Sequence, residues 1–358
     1  MYDILNDVGK WIDTGETIAL ATVIKTWGSS PRKAGSKMAF TLSGKITGSV
    51  SGGCVENAVI EAGMQVLKTN QPQLLHFGVA DETAWEVGLA CGGSIDIFVN
   101  VLHPESFQNL LTVSIDEASA VHVTVIRGAK ELLRQEMLIL ENNVKGSLGN
   151  EWDAKVFNLA METLVQRTSR RVMLNDDIEI FIDAILPPPT LIVVGGVHIA
   201  IVLVSLAKTL GYRTIVIDPR KAWGNDERFP HADQLIQAWI DKAFEQIKLN
   251  PSTAITVLTH DSKIDDPAIK IALNSSAFYV GALGSKTTNA KRRERLLNNG
   301  MSEEQLSKLH APIGLDIGAQ NPEEIALAIM SEVVKSYRKQ NQVDLKHEAD
   351  LHLIEAHS

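Results

Sequence analysis

Cysteine is scarce in this sequence, with two thiols among 358 residues. Two cysteines cannot build a disulfide framework, so we expect a protein of the reducing cytoplasm. No stretch approaches the roughly 20 apolar residues of a membrane span. The first residues lack the basic segment and apolar run of a signal peptide. The net charge is −9, and without a basic stripe it gives no support to a nucleic-acid role.

The composition is that of a soluble globular protein, with 45% hydrophobic and 22% charged residues. The length allows two domains with cores of their own. Three consecutive prolines, Pro187 to Pro189, form a stiff extended connector that neither a helix nor a sheet can continue. We therefore predict an α+β domain over 1–186, a second domain over 190–340 and a polar tail over 341–358.

The first half mixes helical and strand-like patterns in an order that leaves its strand pairing open. Apolar periodicity predicts helices over 1–11, 55–68 and 152–167, and strands over 17–24, 37–40, 45–49, 94–102, 120–126, 132–140 and 178–186. The second half alternates strictly between short apolar strands, at 191–194, 214–218, 254–259 and 277–281, and helical segments. Such alternation is typical of a Rossmann-like, doubly wound parallel sheet, so the predicted class is α/β. A long helix is expected from Asn321 to about Lys339.

Both cysteines sit beside glycine pairs, in Ser51-Gly52-Gly53-Cys54 and Cys91-Gly92-Gly93-Ser94. Glycine pairs let backbone N–H groups turn toward an anion. Cys54 also precedes a helical pattern, and a helix N-terminus favours the thiolate form. One interpretation is a site for a soft metal or an anionic cofactor, with Cys54 the more reactive thiol. The other is two reduced cysteines at tight turns. We predict that both cysteine loops and the Ser29, Ser30 and Arg32 turn face one cleft.

A dinucleotide-binding turn is expected between the first strand and first helix of the second half, at Gly195-Gly196-Val197-His198-Ile199-Ala200. Asp218 ends the next strand, where an acid can accept a ribose hydroxyl. Val197 replaces the middle glycine of the motif, and its side chain would push a pyrophosphate away. NAD(P) binding is therefore only weakly supported, and the alternative is a nucleotide-type fold that binds nothing in the usual way.

Four further segments have side chains that could bind a ligand. His198, in the first helical turn, is either a neutral hydrogen-bond partner or a plain helix-start residue. His260 and Asp261 follow a strand at its carboxyl end, where ligand crevices form. The segment Gly281-Ala282-Leu283-Gly284-Ser285-Lys286 could hold a phosphate, while the basic run after it (Lys291, Arg292, Arg293 and Arg295) is predicted to be a solvated helix face. Gly28-Ser29-Ser30-Pro31-Arg32 suits an anionic group or is a surface turn. No His and Cys spacing predicts a dedicated metal site.

Several of these motifs, in this order along the chain, resemble the XdhC/CoxI family of xanthine dehydrogenase accessory factors. The similar segments are 28–32, Ser51 to Glu56, Cys91 to Gly93, the Gly-Gly-Val-His turn, Asp218-Pro219-Arg220, Glu227 to Pro230, Thr259 to Asp261, Tyr279 to Ser285 and His310 to Ala319. Residues 105–185 are the least distinctive. The resemblance implies an XdhC/CoxI domain followed by an XdhC Rossmann domain. It also implies that the chain binds molybdenum cofactor (molybdopterin), supports its sulfuration and delivers it to an apo-hydroxylase.

The resemblance implies a xanthine dehydrogenase-type hydroxylase as partner, with a cysteine desulfurase as a further candidate. We also expect a homo-oligomer, namely a homodimer. The chain lacks the cysteine sets that ligate iron–sulfur clusters, so it is not expected to be the dehydrogenase itself. An NAD(P)-dependent oxidoreductase and a non-catalytic scaffold are the alternatives. Cys54 is the first candidate for a catalytic role and Cys91 the second. The candidate binding residues are Ser29, Ser30, Arg32, Gly52, Gly53, Cys54, Glu56, Cys91, Gly92, Gly93, Gly195, Gly196, His198, Asp218, Arg220, His260, Asp261, Gly281, Gly284, Ser285 and Lys286.

Overall fold

The computed structural model of the chain describes residues 2–28, 32–78, 93–140 and 143–340. It divides into two units at the Pro187–Pro188 bond, and each unit is described by itself. In these four ranges we find no helix that combines the length and the apolar character required to cross a membrane.

The first unit begins with a five-stranded antiparallel sheet. Its strands are β1 (Ile18–Trp27), β2 (Lys37–Thr41), β3 (Ile46–Gly48), β4 (Gln73–Phe77) and β5 (Ser94–Val101), in the order β3-β2-β1-β5-β4. Two helices belong to it, α1 (Tyr2–Asp13) and α2 (Glu56–Thr69). Alternate residues of β1 face opposite sides. Ile18 and Leu20 join a core with α1, whereas Ala19 and Ala21 join a core with α2.

Glycine brings α2 close to this sheet. A Cβ at Gly63 would lie 2.1 Å from the ring of Phe40, a distance that no side chain tolerates. The absent side chain therefore sets how near the helix lies to β2. The helix ends at Asn70, which adopts the left-handed conformation common at helix ends.

A second antiparallel sheet of five strands completes the first unit. Its strands are β6 (Ala120–Arg127), β7 (Glu136–Leu140), β8 (Asn143–Gly146), β9 (Arg170–Met173) and β10 (Glu179–Ile185), in the order β8-β7-β6-β10-β9. Helices α3 (Pro104–Ile115) and α4 (Asp153–Gln166) accompany it. The strand predicted over 132–140 begins only at Glu136, because Leu132–Arg134 forms a turn of 3₁₀ helix.

Side chains of both sheets meet inside the first unit. Ile24 and Phe98 from the first sheet pack with Ile126 and Phe181 from the second. Lys37, at the start of β2, donates to Asp183 of β10 over 2.6 Å, and both side chains are buried. A buried charge requires a partner, so this pair fixes how the two sheets are aligned.

The second unit is built on six parallel strands. They are β11 (Thr190–Val194), β12 (Arg213–Ile217), β13 (Gln234–Ile236), β14 (Thr253–Val257), β15 (Tyr279–Ala282) and β16 (Leu309–His310). Their helices are α5 (His198–Thr209), α6 (Ile240–Phe244), α7 (Ser262–Leu273), α8 (Lys286–Asn298), α9 (Glu303–Ser307) and α10 (Pro322–Gln340). The strand order β13-β12-β11-β14-β15-β16 is that of a doubly wound dinucleotide-binding fold.

Apolar cores cover both faces of this parallel sheet. Ile192 and Val194 of β11 point to the core that includes α7, whereas Leu191 and Val193 point to the core that includes α5 and α10. Burial on both faces explains why the strand sequences are continuously apolar. The predicted α/β class, with its parallel sheet in the second half, is confirmed.

Candidate functional site

The loop before Cys54 is closed by the side chain of Glu56. Its carboxylate accepts hydrogen bonds from the backbone N–H groups of Ser51, Gly52 and Gly53, each at 2.9 Å, and from the hydroxyls of Ser49 and Ser51. The glycines turn their N–H groups inward because both have positive φ, +87° at Gly52 and +123° at Gly53. The N–H groups of the glycine loop therefore surround a carboxylate of the chain itself.

Glu56 is ionised in this loop. Burial alone would favour the neutral acid, but the hydrogen bonds from Ser51, Ser49 and the backbone outweigh it and lower the pKa of Glu56 to about 2. An external phosphate would reach these N–H groups only if Glu56 released them. The sequence signal for this contact is the acidic residue in the first turn of α2, where helix N–H groups favour negative charge.

The backbone around Cys54 is held by the same loop. The hydroxyl oxygen of Ser51 accepts hydrogen bonds from the N–H groups of Cys54 at 3.0 Å and Val55 at 3.1 Å. Helix α2 begins at Glu56, so Cys54 lies two residues before its first residue. The half-buried thiol side chain packs against the core beneath α2. The loop therefore holds the backbone of a half-buried thiol in place by hydrogen bonds.

Strand register shows where the other predicted loops of the first unit leave the sheet. Trp27, the last residue of β1, pairs with Ser94, the first of β5. The backbone N–H of Ser49, which follows β3, donates to the carbonyl of Lys37 at the start of β2. Three segments thus leave the same end of this sheet, namely the one after Trp27, the one before Ser94 and the one that contains Cys54. Arg32 is exposed and Gly93 is buried. Ser29, Ser30, Cys91 and Gly92 lie outside the described residues.

In the second unit, two glycines form the turn between β11 and α5. Gly195 has φ +108°, and a Cβ there would lie 2.4 Å from the methyl group of Thr259. A Cβ on Gly196 would lie 2.3 Å from the carbonyl oxygen of Trp223. This turn therefore touches the segments that follow β12 and β14. The strand order reverses between β11 and β14, which is where such sheets bind ligands.

Asp218 follows β12 and is fully buried beside this turn. Its carboxylate accepts from the N–H of Gly196 at 2.8 Å and from the N–H of Arg220 at 2.9 Å. The guanidinium of Arg220 binds both oxygens, at 2.9 and 2.7 Å. Burial raises the pKa of Asp218, but the hydrogen bonds from Arg220 and Gly196 lower it overall. The acid predicted to accept a ribose hydroxyl thus already has four donors from its own chain.

Two arginines contact the ring of Trp223, whose backbone carbonyl approaches the glycine turn. The guanidinium carbons of Arg220 and Arg228 are 5.4 and 5.3 Å from its ring centroid. Arg228 also donates to the carbonyl of Gly196 over 3.0 Å. The N–H of Gly196 thus bonds to Asp218 and its carbonyl to Arg228, so the segment 218–228 orders the glycine turn. The motif that contains Arg228 is visible in the sequence, but nothing in it indicates the stacking on Trp223.

A buried ion pair supports two further loops of the crevice. Asp265 of α7 and Arg292 of α8 are 2.9 Å apart. Asp265 accepts from the hydroxyl of Thr259 at 2.5 Å, and Arg292 donates to the carbonyl of Leu283 at 3.0 Å. Burial raises the pKa of Asp265, with Thr259 and Arg292 acting in the opposite direction. The pair thus holds the chain after β14 and after β15, and Arg292 is not part of a solvated face.

The remaining predicted residues of the second unit are divided between surface and core. His198 is exposed as the first residue of α5, and exposed His260 has φ +65°. Asp261 caps α7 by accepting from the N–H of Lys263. Ser285 caps α8, which begins at Lys286, and Gly284 has φ +148°. Gly281 is buried, since a Cβ there would lie 2.6 Å from both Ile313 and the hydroxyl of Tyr279.

Comparison with known proteins places these two units in a family. The XdhC Rossmann domain model matches residues 191–333, and the XdhC and CoxI family model matches residues 11–78. A protein of Bacillus subtilis (strain 168) that is named as a probable xanthine dehydrogenase subunit is 31% identical, over 92% of this chain and 96% of its own length. The chain belongs to the XdhC/CoxI family.

Two other relatives extend across most of the chain. The molybdenum cofactor insertion chaperone PaoD of Escherichia coli (strain K12) is 25% identical, over 89% of this chain and 83% of its own. A crystal structure described as a xanthine dehydrogenase from Bacillus halodurans is 26% identical and superposes with a TM-score of 0.74. That match covers 94% of this chain and 96% of the other. The XdhC/CoxI architecture thus includes both units.

Proposed function

We propose that this XdhC/CoxI protein binds molybdenum cofactor, supports its sulfuration and delivers it to a xanthine dehydrogenase-type apo-hydroxylase in the cytoplasm. The proposal rests on one structural observation above others, the Cys54 thiol held on a closed loop at the sheet end where the other predicted loops leave. The similarity to a molybdenum cofactor insertion chaperone over most of both chains supports it.

The cargo has groups that the chemistry of the Cys54 loop can recognise. Molybdenum cofactor has a metal bound by the dithiolene sulfurs of molybdopterin, and a cysteine thiolate offers a ligand of the same sulfur type. Its phosphate suits glycine N–H groups, but those of Gly52 and Gly53 bind Glu56 here. In our proposal, Cys54 contacts the molybdenum or its sulfur, while Glu56 keeps the loop closed and does not itself bind the phosphate. Transfer of a sulfur atom would require a donor such as a cysteine desulfurase.

The alternative of an NAD(P)-dependent oxidoreductase has less structural support. Asp218 is the residue that would bind the ribose, and its carboxylate is engaged by Arg220 and Gly196. A dinucleotide would have to displace these contacts. Our proposal therefore makes the Cys54 loop the primary site, and a role of the crevice residues in holding the cargo stays a prediction.

The experiment that tests this proposal is maturation of the partner hydroxylase in cells. Removing the XdhC/CoxI protein should leave the hydroxylase folded, with normal iron–sulfur and flavin content, but without active, sulfurated cofactor. Cys54→Ala should reproduce that loss, and Cys54→Ser should as well, because a hydroxyl has the size of a thiol but is not a soft ligand. Molybdenum and cyanide-releasable sulfur in the purified hydroxylase are the readouts. A fully active hydroxylase from the deletion strain would refute the maturation role.

A further inference from the structure

A pocket with both polar and apolar walls lies in the part of the first unit that neither family model covers. Its volume is about 390 Å³, and it lies between α3 and strands β6, β7 and β8. That size is in the range of about 300–1,000 Å³ of small-molecule sites. Its walls include His103, Ser106, Leu110, Glu136, Leu138 and Lys145. The matched ranges, 11–78 and 191–333, include none of these residues.

The pocket has a carboxylate on a sheet face that also carries apolar side chains. Alternate residues of β7 face opposite sides, so Glu136 and Leu138 share the side covered by α3. Leu138 and Leu110 belong to the apolar core on that side. Only 15% of the Glu136 side chain is exposed. Because a charge in such a place is costly unless it is fully hydrogen-bonded, its contacts indicate what the pocket can accept.

Glu136 is ionised, and one of its two oxygens can accept a further hydrogen bond. Burial raises the pKa of Glu136, but the charge and hydrogen bond of His122 and the hydrogen bond of Ser106 lower it to about 2. One oxygen, Oε2, accepts from the Ser106 hydroxyl at 2.5 Å and lies 3.3 Å from His122 Nε2. The other, Oε1, is 3.5 Å from the amide nitrogen of Asn100, which is long for a hydrogen bond. A ligand N–H group would complete the hydrogen bonding of Oε1.

The other residues of the pocket indicate which further groups a ligand would need. Lys145 of β8 donates to Asn109 of α3 over 2.7 Å across the pocket. Lys145 and His103 thus offer N–H donors to a carbonyl or anionic group, while Leu110 and Leu138 offer apolar surface to a flat ring. Donors, a carboxylate and apolar side chains in one pocket suit a flat polar heterocycle.

We propose that this pocket binds a nitrogen heterocycle through a ring N–H that lies beside a carbonyl group. The N–H donates to Glu136, the carbonyl or a neighbouring anion faces Lys145, and the ring lies against Leu110 and Leu138. Pterins and oxopurines share this edge. A pterin here would be separate from the cargo that Cys54 contacts, because Asn100 shares the face of Leu20 in the first sheet, whereas Cys54 packs on the opposite face. The site itself does not rest on the function proposed above.

Binding to the intact protein tests the site with three probes. Pterin-6-carboxylate and hypoxanthine both have the N–H and carbonyl edge, and only the former has an anionic substituent. Benzoate is an aromatic anion without the N–H. We expect one or both heterocycles to bind, measured by fluorescence quenching and calorimetry, and benzoate not to bind. Tighter pterin binding identifies a pterin site, and tighter hypoxanthine binding a purine site. Absence of binding by both heterocycles at millimolar concentration, or equal binding of benzoate, would overturn the proposal.

Two variants and a control locate the binding. Glu136→Gln removes the charged acceptor with little change in shape. It should lower the affinity for the heterocycle about tenfold or more. Lys145 lies on a strand whose residues are all exposed, so the Lys145→Ala protein should fold normally. It should lose affinity for pterin-6-carboxylate more than for hypoxanthine. Glu131→Gln, an exposed site outside the pocket, should change nothing. Unchanged affinity in both pocket variants would place the ligand elsewhere.

The outcome for the pocket is separable from the outcome for cofactor delivery. If Glu136→Gln abolishes heterocycle binding while the deletion strain still makes active hydroxylase, the pocket stands and the maturation role fails. If Cys54→Ala abolishes maturation while Glu136→Gln binds pterin normally, the maturation role stands and the pocket proposal fails.

Discussion

Arg292 and Asp265 form a buried ion pair beneath two loops of the Rossmann-like crevice. Each side chain is 2% exposed, and the charged atoms are 2.9 Å apart. Thr259 and Leu283, which follow β14 and β15, hydrogen-bond to the pair. Since those two strands neighbour each other in the sheet, the pair couples the two loops to a single support.

Breaking this pair should destabilise the second unit. Arg292→Met leaves Asp265 buried without its counter-charge, and we expect a loss of about 3–5 kcal/mol in the free energy of unfolding. Arg293→Met is the matched control, because Arg293 is 45% exposed and pairs with an exposed Glu303. Exposed pairs contribute about 1 kcal/mol or less. Urea denaturation measures both, and equal effects of the two substitutions would contradict the structural role of Arg292.

The sequence predicts the parallel sheet of the second unit well and the sheets of the first unit only partly. Short apolar strands buried on both faces, as in β11, are distinctive. By contrast, β4 has the sequence Gln-Leu-Leu-His-Phe and no buried residue, and β8 is exposed throughout. Neither has the alternation of apolar and polar residues that identifies a strand. The order of the antiparallel strands depends on contacts between distant segments, which local patterns do not encode.

The candidate site shows the same limit. The glycine pairs are visible in the sequence, yet which anion they bind depends on the side chain of Glu56, whose position follows from tertiary packing. Arg292 lies in a basic run, and the composition of that run predicts a solvated face. Asn289, Arg292 and Leu296 are instead buried on one face of α8. Their helical spacing is the sequence signal that points to burial.

The glycine turn after β11 should not tolerate a side chain at Gly196. Gly196→Ala would place a Cβ 2.3 Å from the backbone carbonyl of Trp223, and backbone cannot move aside as a flexible side chain can. We expect a loss of about 1–3 kcal/mol in stability, as for other overpacked sites. Gly9→Ala is the control, since its Cβ would make only an ordinary 3.5 Å contact with Phe107. In helix α1, alanine should be neutral or stabilising by up to about 1 kcal/mol. Thermal unfolding of both variants checks this, and a Gly196→Ala melt equal to wild type would be inconsistent with the close approach.

Glu56 should make the free energy of unfolding depend on pH in the acid range. Its folded pKa is about 2, below the ordinary value of 4.5, so its contribution is fully present above about pH 4.5 and is lost as the pH falls toward 2. Glu56→Gln removes this contribution. The stability difference between wild type and the variant should therefore be largest near neutral pH and shrink between about pH 4.5 and 2.

The comparison must be made as a difference, because Glu136 and Glu332 also have pKa values lowered to about 2. Both proteins share those two groups, so their effects cancel when the variant is subtracted from wild type. Urea denaturation at several pH values provides the measurement. A difference that stays constant down to pH 2 would show that Glu56 does not hold the Cys54 loop as an ionised carboxylate.

The last prediction concerns weak dinucleotide binding by the second unit, and two independent features support it. Val197 stands where a pyrophosphate needs glycine, and Asp218 is engaged by Arg220 and Gly196. We expect NAD and NADH to bind weakly or not at all. Val197 has φ −72° and ψ 172°, a conformation open to any residue, so Val197→Gly should keep the turn and improve binding. Calorimetry on wild type and the variant, with a thermal melt to confirm folding, tests this. Tight NAD binding by wild type would show that Asp218 exchanges Arg220 for a ribose, and would favour the oxidoreductase alternative.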